Sequence, residues 1–130
     1  MFRPKGIKKK LDDLVGGWFR ALGYCEHCYS KQNLQWCHIK SRQYNSVRWS
    51  EYNAGCICAT CHRWFTNNPD RFIKWLQKVA PKKLDMLELA FKHPFSMKKW
   101  QMQEHYELLK EKLKKPYNPM DYAREIKKDA

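Results

Sequence analysis

The stretch Asn53-Ala54-Gly55-Cys56-Ile57-Cys58-Ala59-Thr60-Cys61-His62 decides the reading of this chain. It ends in a Cys-x2-Cys pair followed at once by a histidine, and an asparagine stands five residues before the first cysteine of that pair. A second pair, Cys25-x2-Cys28, lies upstream, with 29 residues between Cys28 and Cys58. Four thiolates in two tight turns suit tetrahedral Zn2+, whose bonds to sulfur are about 2.3 Å long. The two pairs predict a closed structural zinc site at Cys25, Cys28, Cys58 and Cys61, with no open position for chemistry.

Around the pairs, Gln35 to Ile39 and Gly55 to Cys58 read as short strands. Residues 24–68 then form a knuckle, a strand, a loop, a strand and the start of a helix. Leu11, Val15, Trp18 and Leu22 mark one face of an N-terminal helix, weakened by Gly16-Gly17 and stopped at Gly23. Asn68-Pro69 reads as a helix entry, with Phe72, Leu76 and Val79 on the apolar face. Pro81 opens a further helix with Leu84, Leu87 and Phe91 aligned, ended by His93-Pro94. Ser96 can cap a last one, where Met102, Tyr106, Leu109 and Leu113 recur. Pro116 and Pro119 break it, leaving 116–130 as a tail. The expected fold is α+β and mostly helical: a single domain over 1–115, with a helix in 1–23, the zinc-bound core in 24–68 and helices in 69–115.

Charge narrows the partner. Lys and Arg number 26 against 13 Asp and Glu, a net charge of +13. The excess is +4 over 1–23, +3 over 24–68 and +6 over 69–115, with balance in 116–130. It belongs to the body of the protein, which favours a polyanion as partner. No apolar run reaches the roughly 18 residues of a membrane span, and the basic N-terminus has no apolar signal core, so a cytoplasmic protein is expected.

The order His38, Asn53, His62, threaded through two CxxC pairs, resembles the HNH endonucleases with their ββα-metal finger. The segment Ile39-Lys40-Ser41-Arg42, followed by Arg48-Trp49-Ser50-Glu51-Tyr52-Asn53, is similar to the phage recombination endonucleases of the NinG/Rap group, which also carry a helical C-terminal part. The motif covers about residues 25–62. The resemblance implies that His38 is the general base that deprotonates water and that Asn53 holds the loop that aims it. It implies that His62 holds a divalent cation at the scissile phosphate, giving 5′-phosphate and 3′-hydroxyl ends. It implies branched DNA as substrate, such as a Holliday junction or D-loop, in the host cytoplasm or nucleoid if the protein is phage-encoded. Such enzymes often have Asp or His before the base histidine as a second ligand. Here that residue is Cys37. The catalytic ion is expected among Mg2+, Mn2+, Ni2+, Co2+ and Zn2+; either the Cys37 thiolate selects Zn2+, Ni2+ or Co2+ over Mg2+, or it is a strand residue.

Lys40, Arg42, Arg48, Trp49 and Arg63 flank the site and are candidate DNA contacts, with Arg48 the leading phosphate contact and the tryptophan more often a core residue than a base stack in a domain this small. Bland readings suit the remainder: His27 a surface residue, Cys56 a small core residue, and His93 and His105 solvated or structural. The stripe Met102–Leu113 suits the core better than the pairing of two protomers, although a homodimer would suit a two-strand cut. Alternatives are a nicking or homing enzyme on duplex DNA, a nuclease on RNA, and a non-catalytic zinc-stabilised DNA-binding module.

Overall fold

A computed structural model describes residues 5–40, 45–91 and 97–123. Helix α1 spans Lys5–Arg20, strand β1 Leu34–His38, the short helix α2 Asn45–Arg48 and strand β2 Ala54–Cys58. Helices α3 (Ala59–Asn67), α4 (Pro69–Val79), α5 (Pro81–Phe91) and α6 (Lys99–Lys112) follow, and a 3-10 turn at Pro119–Tyr122 ends the described chain. The architecture is mostly helical around one two-stranded antiparallel sheet, as expected. Leu34 pairs with Cys58 and His38 with Ala54. The hairpin is not closed by a tight turn. Its connection carries α2 and a 3-10 turn at Glu51–Asn53.

Helix α1 buries Ile7, Leu11, Val15 and Phe19, a four-residue repeat that forms one stripe. It lies on α6 and on β1. Gly16 sits at that contact: a Cβ there would come within 3.0 Å of the Trp36 ring. The glycine costs helix propensity and allows the indole of β1 to lie against the helix backbone. Gly23, with φ of +86°, takes the left-handed conformation that ends the segment, and its N–H donates to the Arg20 carbonyl.

Two apolar clusters result. The larger joins α1 with Trp49, Ala54, Leu76, Ala80, Met102, Leu109, Tyr117 and Tyr122. The smaller lies under the knuckle and consists of Cys25, Cys37, Ile57, Cys58, Cys61 and Phe65, with Leu34, Phe72 and Trp75 at its edge.

Several readings are corrected. Residues 116–123 are not a loose tail, because Tyr117 and Tyr122 are core residues and the Lys115 carbonyl accepts from Trp18 Nε1 at 2.7 Å. Val79 is 37% exposed, outside the buried face of α4. Asn68 does not cap α4 with its side chain, whose Nδ2 donates back to the Trp64 carbonyl. The Met102–Leu113 stripe, by contrast, packs into the large cluster as expected. Arg42, His93 and Ser96 lie outside the described residues.

A candidate four-cysteine metal centre and the histidines around it

The Cys25, Cys28, Cys58 and Cys61 sulfurs all lie within 4.8 Å of one another. A tetrahedron with metal–sulfur bonds of about 2.3 Å requires sulfurs roughly 3.8 Å apart, and Cys28 Sγ and Cys58 Sγ are 3.6 Å apart. The donor set therefore fits a metal ion such as zinc. Local backbone prepares it. Cys25 Sγ accepts from the His27 and Cys28 amides, each at 3.4 Å, and Cys58, which caps α3, accepts from the Cys61 amide at 3.4 Å. Although desolvation raises it, the Cys61 amide and the neighbouring thiols bring the Cys58 thiol down to about 7. Such a sulfur is readily ionised for a metal.

His27 is not the surface residue expected of it. Its Nδ1 lies 3.2 Å from Cys61 Sγ, and its ring packs against Trp64, Phe65 and Trp75. It ties one cysteine pair to the other through a ring–sulfur hydrogen bond. Glu26, the other residue inside the first pair, turns inward. Its Oε2 accepts from the Cys56 amide at 2.7 Å and from the Tyr117 hydroxyl at 2.8 Å. Tyr117 accepts in turn from the Lys83 ammonium, which also donates to the Ala54 carbonyl at 2.7 Å. Lys83 is 1% exposed, and burial lowers its ammonium to about 8 against the upward pull of Glu26. This chain joins the knuckle, β2, α5 and the C-terminal turn. Sequence reading missed Glu26, Lys83 and Tyr117 because nothing local distinguishes them from solvated residues.

Asn53 is fully buried, at 0% exposed. Its Oδ1 accepts from the Lys40 amide at 2.7 Å, and its Nδ2 donates to the carbonyls of Lys40 at 3.2 Å and Val47 at 2.9 Å. One carboxamide thus closes both ends of the long hairpin connection. Inside that connection, His38 Nε2 donates to the Arg48 carbonyl at 3.0 Å. A carbonyl can only accept, so Nε2 carries a proton.

His62 stands on α3. Its Nδ1 pairs with Gln35 Oε1 at 2.7 Å, and burial lowers its pKa. It lines an open depression with Gln35, Ala59, Arg63 and Thr66. Residues 35 and 38 lie on opposite faces of β1, because successive strand side chains alternate. His38 shares its face with Trp36, whose ring centroid is 4.2 Å away, and His62 is tied to the other. The fold does not bring the two histidines into that depression together. Cys37 does not join His62 either. It is 1% exposed within the small cluster, and burial, then the Glu26 charge, pushes its thiol up to about 12. Among the described residues, the four knuckle cysteines are the one group of three or more His, Cys, Asp or Glu side chains close enough to share an ion.

Two expected DNA contacts are otherwise engaged. Trp49 is 1% exposed and donates through Nε1 to Asp12 Oδ1 at 2.8 Å, so it cannot stack on a base. Arg48 grips the same carboxylate, Nε to Oδ1 at 3.1 Å and Nη2 to Oδ2 at 2.7 Å. Lys40 and Arg63 are exposed. No protein family, curated protein or solved structure was found to match this chain. No helix among the described residues is long and apolar enough to cross a membrane.

Proposed function

We propose that the chain is a metal-dependent DNA endonuclease of the HNH type, acting on branched recombination or replication intermediates. The observation that carries the reading is the treatment of His38. Its Nε2 proton is held by the Arg48 carbonyl, and the connection that supplies this carbonyl is closed by the buried Asn53. An imidazole held in one tautomer at the edge of a metal-stapled hairpin suits a general base. His38 Nδ1 takes the proton from the attacking water, and Asn53 keeps the loop in place. The net charge of +13 suits a phosphate backbone, and Arg63 beside His62 is available to grip it.

A divalent cation would stabilise charge on the phosphodiester and on the leaving 3′ oxygen. His62 is its one candidate protein ligand among the described residues, so most of its coordination would come from phosphate and water.

A second reading, a zinc-stabilised DNA-binding module, is favoured by the placement of His38 and His62 on opposite faces of β1. Labelled four-way, flap and linear DNA incubated with the purified chain in Mg2+, Mn2+, Ni2+ and Co2+ separates the two. An enzyme cleaves at least one substrate, and His38→Ala loses cleavage by about a thousandfold while keeping zinc and DNA binding. Absence of metal-stimulated cleavage by the wild type selects the binding module.

A further inference from the structure

Asp12 lies on α1, 26 residues before His38, and belongs to no motif. Its carboxylate accepts from the Arg48 guanidinium through Nε and Nη2 and from the Trp49 indole through Nε1. These two residues flank a single peptide unit, the one whose carbonyl oxygen accepts the His38 Nε2 proton. We infer that Asp12 is a positioning residue for His38, acting through the Arg48–Trp49 peptide to set which imidazole nitrogen carries the proton. The inference rests on the endonuclease reading for its catalytic consequence, and on geometry alone for its structural one.

The physical argument concerns how tightly that carbonyl is held. A bidentate arginine–carboxylate pair fixes orientation as well as distance. The indole bond adds a third point from the adjacent residue. Arg48 and Asp12 side chains are only 16% and 22% exposed, so solvent screens the pair weakly. From the other direction, Asn53 Nδ2 holds the Val47 carbonyl at 2.9 Å. The 48–49 peptide is thus held from α1, and the 47–48 peptide before it from the turn that precedes β2. If the α1 clamp is lost, the 48–49 peptide can rotate, and the imidazole can take its proton on either nitrogen. A ring carrying its proton on Nδ1 presents no lone pair there, so each molecule in that state is inactive.

The test uses the full-length, zinc-loaded chain and reads His38 by side-chain 15N NMR, in the wild type, Asp12→Asn and Asp12→Ala. The wild type should show a single Nε2–H tautomer, and the variants a mixture of both. Cleavage should fall about 10–100-fold in kcat, with KM and zinc content unchanged. Asp12→Glu should recover part of the rate. Asp12→Asn keeps the side-chain shape and one acceptor oxygen, so it reports even where Asp12→Ala fails to fold. A His38 tautomer unchanged in Asp12→Asn overturns the inference, as does a wild-type ring that populates both tautomers. If the wild type cuts no DNA, the endonuclease reading fails, and the NMR result still decides the role of Asp12.

Discussion

His27 Nδ1 lies 3.2 Å from Cys61 Sγ, so a ring from within the first cysteine pair hydrogen-bonds a sulfur of the second. Such a bond orients the sulfur and spreads its charge. His27→Ala should weaken zinc binding by about tenfold and leave the fold intact in excess zinc. Competition against a chromophoric chelator measures this. An unchanged affinity would reduce the contact to packing.

Removing the metal should have a larger effect. The small cluster beneath the knuckle has six buried residues, four of them cysteines and three of those ligands. Structural zinc contributes on the order of 10 kcal/mol to domains of this kind. Chelation, or Cys61→Ser, should therefore abolish amide protection over 24–68. Protection on α1 and α6, which pack in the other cluster, should persist longer. Equal protection with and without metal would contradict the assignment.

Asn53→Ala should destabilise the protein by about 3 kcal/mol, because it strands the Lys40 amide and two carbonyls that a buried side chain now satisfies. Urea unfolding with zinc saturating gives the value. A loss below about 1 kcal/mol would mean that water replaces the carboxamide.

Lys83 makes stability depend on pH with an unusual sign. Burial lowers its pKa from 10.5 to about 8. Between these values the unfolded chain keeps the proton and the folded chain releases it, so stability from this group rises with pH across the window. Below pH 8 the cost of the buried ammonium is fully present. The stability of the wild type minus that of Lys83→Met should rise by roughly 2–3 kcal/mol from pH 7 to pH 10, with zinc saturating both proteins. A flat difference would show that Lys83 stays charged inside.

Arg48 and Arg63 should separate in DNA binding. Arg63→Ala should lower the salt dependence of affinity by about one unit of log–log slope. Arg48→Ala should leave the slope unchanged and cost about 1–2 kcal/mol in stability, because its guanidinium is held by Asp12. The reverse pattern would restore Arg48 as a phosphate contact.

The knuckle was legible because metal ligation is written in local spacing: each CxxC turn supplies two sulfurs without help from the rest of the chain. The helices were legible from their periodic apolar stripes. Arg48 and Trp49 could not be placed from the sequence, because an arginine and a tryptophan beside a candidate nuclease motif suit DNA and the protein interior alike. Only the docking of α1 showed that both are turned toward Asp12. The same is true of Tyr117, whose value depends on a glutamate 91 residues earlier.

By itself, then, the chain's residue order determined the two cysteine pairs that could hold a metal, the hairpin that joins them and the basic helical body, since each depends on contacts a few residues apart or on summed charge. Tertiary structure alone decided which face of β1 each histidine occupies, where the buried Lys83 finds its partners and which carboxylate clamps the peptide beside His38. Those outcomes depend on how α1, α5 and the C-terminal turn dock against the sheet, and the free energy of docking is spread over the whole core rather than carried by any local pattern.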